Sequence, residues 1–312
     1  MSLKKSLALL ALSFLFLPLL RAQVYNWADG EEPDEPVTLE NLQGLVVGLN
    51  IGFYQANHST AAIYGGYGFD RAGERNGFSN SWLNNTIQGN PEFRRRTSDA
   101  MGLSDGEWSF TESDMPNEMR YRPSFMWGAH GRFHLNPDFA IFAEVGGTSP
   151  VTVGEFTITN LTAAPGQLQD QFINNFSIRG EEQRLLFTLG VRQSIGRKAV
   201  EQRGGNTAIL PFIEFGLNST FVSFEENFID LNGNVLDLTL FFQQQGFLVD
   251  EARVLTGVGF GGFTTLGAQI HLGGDIMVDL AYRPSFEHVR LGAWDDRSLQ
   301  HIFLLRAVWT RF

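Results

Sequence analysis

Charged and imidazole side chains recur at even spacings along several segments of this chain. His130, Arg132 and His134 form one such series, Arg184 and Arg192 another, Asp279 and Arg283 a third. Even spacing places side chains on one face of a β-strand. The chemistry open to them is charge pairing across a shared interior. The full candidate set is Arg120, Arg122, His130, Arg132, His134, Glu144, Arg184, Arg192, Glu214, Gln269, His271, Asp275, Asp279, Arg283 and Arg306. Arginine suits that task, because its planar fork binds carboxylates bidentately with little hydration to lose. Other chemistries fit less well. His130 and His134 would lie about 13 Å apart on a strand, too far to share a metal. His58-Ser59 lacks a partner acid at a recognisable spacing, and nucleophilic catalysis needs a base oriented by a third group. Asp230, Asn232 and Asn234 surround Gly233, but the glycine is misplaced for a calcium loop. The sequence therefore implies no catalytic residue, no cofactor and no metal.

The elements that carry these residues alternate with period two. In 119–135, Met119, Tyr121, Pro123, Phe125, Trp127, Ala129, Gly131, Phe133 and Leu135 fall on one face. Arg120, Arg122, His130, Arg132 and His134 fall on the other. Such a run exceeds a typical globular strand and fits a membrane strand, apolar to lipid and polar inward. Similar runs start near residues 44, 139, 184, 209, 258, 275 and 299, which makes eight strands. The expected fold is all-β: an eight-stranded antiparallel transmembrane barrel. In the last run, Phe303, Leu305, Ala307 and Trp309 make the better lipid face. An arginine at the lipid midplane costs roughly 2–4 kcal/mol, so Arg306 is assigned to the interior.

Connections alternate in length. Asn136-Pro137-Asp138, Gly273-Gly274 and residues 197–207 carry turn signals. Residues 58–118, 153–182 and 223–253 are long. Asn232-Gly233 within the last of these is a hairpin signal, expected to extend strands five and six above the membrane. The first long loop, 57–118, holds Tyr64, Tyr67, Phe69, Phe78, Trp82, Phe93, Trp108, Phe110 and the cluster Arg94-Arg95-Arg96. Residues 79–88 and 91–101 read as short helices. The loop either caps the barrel or exposes its aromatics to a partner.

The pentapeptide Tyr-Arg-Pro-Ser-Phe occurs at 121–125 and again at 282–286. The two copies are expected in one phase, with Arg122 and Arg283 inward at the outer mouth and Tyr121 and Tyr282 outward in an aromatic girdle.

Lys4 and Lys5, the apolar stretch 7–20 and Leu20-Arg21-Ala22 read as a secretory signal peptide over 1–22. Residues 23–42, with Asp29, Glu31, Glu32, Asp34 and Glu35, read as a solvated acidic leader. The barrel then occupies 43–312. Removing Lys4, Lys5 and Arg21 with the signal takes the formal net charge from −11 to −14. That argues against a nucleic-acid partner, which needs a basic footprint. There is no cysteine, so no disulfide braces the chain.

With this signal, eight alternating runs, short inner turns, long outer loops and Phe312 as the last residue, the chain resembles the OmpA-like and PorT-like outer-membrane barrels of Gram-negative bacteria, especially Bacteroidota. Residues 44–53, GLVVGLNIGF, are similar to the first strand of that group. The resemblance covers the strands, about half of the mature chain. It implies an outer-membrane location with both termini periplasmic, outer-membrane lipid around the barrel, and the barrel assembly machinery reading Phe312 as a signal. One departure is that Thr310 and Arg306 share the parity of Phe312. The expected role is non-catalytic: surface interaction through a protein partner at the loops, or envelope or secretion-machine assembly. The alternatives are a narrow passive channel for small solutes and, third, a lipid-modifying enzyme.

Overall fold

The computed structural model describes residues 44–70, 74–89, 91–162, 173–195, 209–239, 256–272, 276–291 and 294–309. In chain order the strands are β1 (Gly44–Gln55), β2 (Trp108–Ser109), β3 (Met119–Tyr121) and β4 (Ser124–His134). Then follow β5 (Phe139–Thr148), β6 (Val151–Asn160), β7 (Ile173–Ser194) and β8 (Ile209–Leu231). The last are β9 (Asn234–Asp237), β10 (Thr256–His271), β11 (Ile276–Leu291) and β12 (Trp294–Trp309). Eight of them form a closed antiparallel ring in the order β1, β4, β5, β7, β8, β10, β11, β12 and back to β1.

The expected count of eight therefore describes the ring, while β2, β3, β6 and β9 lie off it. Segments read from sequence as long loops carry β2, β9 and most of β6, because β7 and β8 run on past the ring, while β3 falls within the run read as one strand over 119–135. The upper part of β7 pairs with β6, and β8 turns back on itself as β9. Asn232 and Gly233 make that turn at φ of 52° and 92°, the left-handed pair that a tight hairpin requires. The hairpin thus extends the fifth strand of the ring and adds no ring strand.

β5 and β6 are two halves of one rising strand, interrupted at Ser149-Pro150, and β3 and β4 are two halves of its neighbour, interrupted at Arg122-Pro123. The prolines cannot donate to the ladder. Pairing resumes across the gap with the Arg122 amide donating to the Val151 carbonyl at 2.9 Å. A matching irregularity lies on β8, where Glu225 and Glu226 both face outward and the register with β7 shifts at Glu181/Glu182. An extra residue in a strand reverses which face the following side chains take. Hence Tyr121 is buried inside while Arg122 and Pro123 both face out.

This corrects the equivalence of the two pentapeptides. In β11 the second copy is regular: Arg283 and Ser285 are buried inside and Phe286 is exposed. In the first copy the phase flips, so Tyr121 is no girdle residue and Arg122 lies outside. The expected single strand over 119–135 fails at the same point.

Above the ring stands a crown with a core of its own. Residues His58–Tyr64 form a 3-10 segment, Trp82–Asn84 a helical turn continued by Asn85–Gly89, and Pro91–Met101 a helix. Tyr64 stacks on Phe224 at 4.9 Å between ring centres, Phe69 packs on Trp82 at 4.6 Å, and Phe110 meets Phe156 edge-on. Of the first-loop aromatics, Tyr64, Phe69, Trp82, Trp108 and Phe110 are buried, so they build a cap. Gly180 on β7 lies under the Tyr64 ring, where an added Cβ would come within 2.1 Å of it. Gly180→Val is expected to push Tyr64 off Phe224 and destabilise the crown by about 1–3 kcal/mol. Limited proteolysis checks this: cleavage within 57–118 should accelerate while the ring still migrates as a folded band on unheated gels.

Candidate functional site: the charged interior

Alternation along each ring strand sends one set of side chains inward and one outward. Inward and buried are Arg132 and His130 on β4, Glu144 on β5, Arg184 and Arg192 on β7 and Glu214 on β8. Gln269 on β10, Asp279 and Arg283 on β11 and Arg306 on β12 join them. His134 and His271 are also buried, nearer the ring end that holds the start of β1. Arg120 and Arg122 are the corrections. Arg120 is exposed and pairs with Glu118 at 2.5 Å, and Arg122 faces outward beside the proline break. Asp275 and Phe312 lie outside the described residues.

The interior charges form two connected groups. In the lower one, Arg306 grips Glu214 bidentately, Nη1 to Oε1 at 2.6 Å and Nη2 to Oε2 at 3.1 Å. Its Nη2 also reaches Glu144 Oε1 at 2.7 Å. Arg283 bridges the same two carboxylates, at 2.5 Å to Glu144 and 3.3 Å to Glu214, and its Nε donates to Thr265. Arg192 donates to Asp279 at 2.5 Å and to Gln269 at 3.0 Å. Arg132 reaches the same Asp279 oxygen at 3.3 Å. His130 Nδ1 meets Glu144 Oε1 at 2.9 Å.

In the upper group, Arg184 donates Nε to Glu182 at 2.5 Å and Nη1 to the Tyr54 hydroxyl at 2.8 Å. Tyr54 in turn donates to Glu287 at 3.1 Å. Tyr64 and Tyr121, both in the crown, donate to the same oxygen of Glu182 at 3.1 and 2.9 Å. This group ties the crown to the ring.

Phenylalanines fill what the charges leave. The Arg192 guanidinium lies 3.4 Å over the Phe212 ring and that of Arg283 4.4 Å over Phe263, cation–π contacts in a desolvated setting. Inward glycines make room for these rings. A Cβ at Gly267 would come within 2.2 Å of Phe212, and one at Gly216 within 2.6 Å of Phe263. Gly267 and Gly216 therefore face aromatic rings instead of free space, while an added Cβ at Gly259 or Gly261 would meet the backbone of β11. Glu182, Glu287, Tyr54 and the three inward phenylalanines (142, 212 and 263) were missed as site residues. The inward parity of β5, β8, β10 and β11 was the signal that could have found four of them.

Outside, the ring is apolar. Phe53, Leu189, Leu217 and Phe260 are 60%, 61%, 72% and 70% exposed. No helix among the described residues is long and apolar enough to cross a membrane. No group of three metal-binding side chains occurs among them. Near the first-loop start, Ser59 donates to Asp296, while Nδ1 of His58 accepts from the Tyr121 amide. The ring nitrogen that would orient a base is thus spent on backbone.

The sequence matches no family model and no curated protein. Among solved structures, Neisserial surface protein A aligns at 9% identity over 86% of this chain and 98% of its own, with a TM-score of 0.39. OprG of Pseudomonas aeruginosa aligns at 9% identity over 86% and 96%, TM-score 0.37. Ail, the attachment invasion locus protein of Yersinia pestis, solved with the heparin analogue sucrose octasulfate, aligns at 10% identity over 86% and 98%, TM-score 0.32.

Removing one partner from a buried ion pair leaves an uncompensated charge and costs about 3–5 kcal/mol. Asp279→Ala should therefore destabilise the ring by that amount, whereas Arg122→Ala should stay within about 0.5 kcal/mol. Urea unfolding followed by tryptophan fluorescence measures both. Burial, reinforced by the Glu182 carboxylate, holds the crown Tyr64 hydroxyl well above the ordinary tyrosine value. The folded state then keeps this proton more tightly than the unfolded state. Its contribution is complete below about pH 10 and is lost as pH rises further. Protease resistance of the crown should fall above that pH, and less steeply in Tyr64→Phe.

Proposed function

We propose that the chain is a non-catalytic β-barrel of a bacterial outer membrane, closed to solutes, that presents a folded crown as a surface for a protein partner. The observation that carries this reading is the inversion of the ring: arginines and carboxylates paired inside, large apolar side chains exposed outside. An apolar belt on every strand of a closed ring would be untenable in water and matches what lipid demands of a spanning sheet, in which every backbone group is paired. On β11 the outward residues from Ile276 to Phe286 span roughly 25 Å after strand tilt, the height of an outer-membrane apolar band.

The start of β1 and the end of β12 lie at the ring end opposite the crown. In this reading that end is periplasmic, the signal and acidic leader precede it, and the assembly machinery recognises Phe312. The channel alternative loses support from the filled interior. An eight-stranded ring has just enough room for side chains, and here salt bridges and phenylalanines take it. The enzyme alternative loses support because Ser59 donates to Asp296 while His58 Nδ1 is taken by the Tyr121 amide. What the crown offers outward is a helix surface of Arg94, Arg95 and Arg96 laced to Glu92, Asp99 and Asp105. Its chemistry suits reversible contact with a partner in surface interaction or envelope assembly, the role expected of OmpA-like and PorT-like barrels.

The test is conductance of the refolded protein in a planar bilayer. The expected record is silent, with membrane insertion verified independently by protease protection of the ring. Discrete steps from wild-type protein would replace this reading with the narrow channel.

A further inference from the structure

The lower charge group is unbalanced. Among the described residues, four buried arginines, Arg132, Arg192, Arg283 and Arg306, face three buried carboxylates, Glu144, Glu214 and Asp279. The deficit is concentrated on Arg132. Its side chain is fully buried, yet it makes one long contact, Nη1 to Asp279 at 3.3 Å. The oxygen it reaches is already held by Arg192 at 2.5 Å, and Arg306 lies 3.9 Å from the same oxygen. Asp279 thus serves three cations and neutralises none of them fully. Among the described residues the Nε and Nη2 groups of Arg132 have no hydrogen-bond partner.

Those two nitrogens are one edge of the guanidinium, with nearly parallel N–H bonds that one anion can accept together. It is the edge arginine uses for bidentate recognition of anions. A buried donor without an acceptor carries its full desolvation penalty, and a charged one carries more. Here two such donors on one cation point away from the carboxylate that partly compensates it. Among the described residues no second carboxylate is paired with this cation, and its strand neighbours Val46 and Phe142 are apolar.

We propose that the lower interior binds one small monovalent inorganic anion, chloride in a saline medium, on the Nε–Nη2 edge of Arg132. The anion supplies the fourth negative charge of the group. It is structural cargo of the closed ring and takes no part in conduction, and the assignment does not depend on what the crown binds. Water can accept from the same edge but leaves the charge deficit in place, so anion and water make different predictions.

The experiment uses the full refolded protein in a zwitterionic detergent. Its thermal midpoint is followed while chloride or bromide replaces gluconate, an anion too large for this interior, at constant ionic strength. The wild type is expected to gain roughly 3 °C or more with saturation. Arg95→Gln, on the crown surface, should keep that gain, and Arg132→Gln should lose it. Because Arg132→Gln can fail to fold, wild-type crystals grown in bromide give the second measurement: an anomalous peak within hydrogen-bond distance of Arg132 Nε and Nη2. Equal midpoints in halide and gluconate, or bromide-grown crystals with no anomalous peak at that edge, would overturn the assignment in favour of water.

Discussion

Three carboxylates, Glu144, Glu214 and Asp279, hold this molecule's interior together. Each accepts from at least two arginines on strands across the ring. Burying an arginine in the middle of an apolar setting is tolerable only when the charge is paired and its donors are satisfied. Given the carboxylates, four arginines from β4, β7, β11 and β12 can converge on the axis. The ring is then cross-braced from strands that are not neighbours in the sheet. Without them, the inward parity of every charged strand would be unfavourable and the register would have no reason to prefer this face.

The same pairing explains why the molecule can be apolar outside. Period-two alternation means that what is inside dictates what is outside. Once arginines and glutamates take the interior, Leu189, Leu217 and Phe260 are forced outward. A closed ring also leaves no unpaired edge, which is the second requirement of lipid. Both conditions come from one alternation, and the register shifts at Pro123 and Glu225 occur only where the wall leaves the ring and becomes crown.

The crown follows a different rule. It is packed like a small soluble domain, with stacked and edge-on aromatics around Tyr64, Phe224 and Trp82. Two phase reversals let it do so. By flipping faces above the ring, β3 and β8 turn apolar and aromatic side chains such as Met119, Tyr121 and Ile229 inward at the level where the wall leaves the ring. Glu182 then joins the two regions, taking hydrogen bonds from crown tyrosines on one side and an ion pair from Arg184 on the other.

The sequence alone determined the alternation and hence the ring: eight amphipathic runs, with Arg132, Glu144, Arg184, Arg192, Glu214, Asp279, Arg283 and Arg306 on the polar face. It did so because a strand's period is fixed by backbone geometry and needs no knowledge of the partner strand. Arg306 was placed inward by the cost of the alternative in lipid, an argument local to one strand. The tertiary structure decided everything that depends on register between strands. It showed that identical pentapeptides take opposite phases, because Pro123 faces Ser149-Pro150 across a broken ladder whereas Pro284 keeps its register with His301 on β12. It turned Arg120 and Arg122 outward for the same reason. It also decided that the first-loop aromatics are core, since only the extension of β7 and β8 beyond the ring gives them a surface to pack on. One-residue shifts of that kind leave no periodic trace in a single strand, and they are what separates this interior from the one its alternation implied.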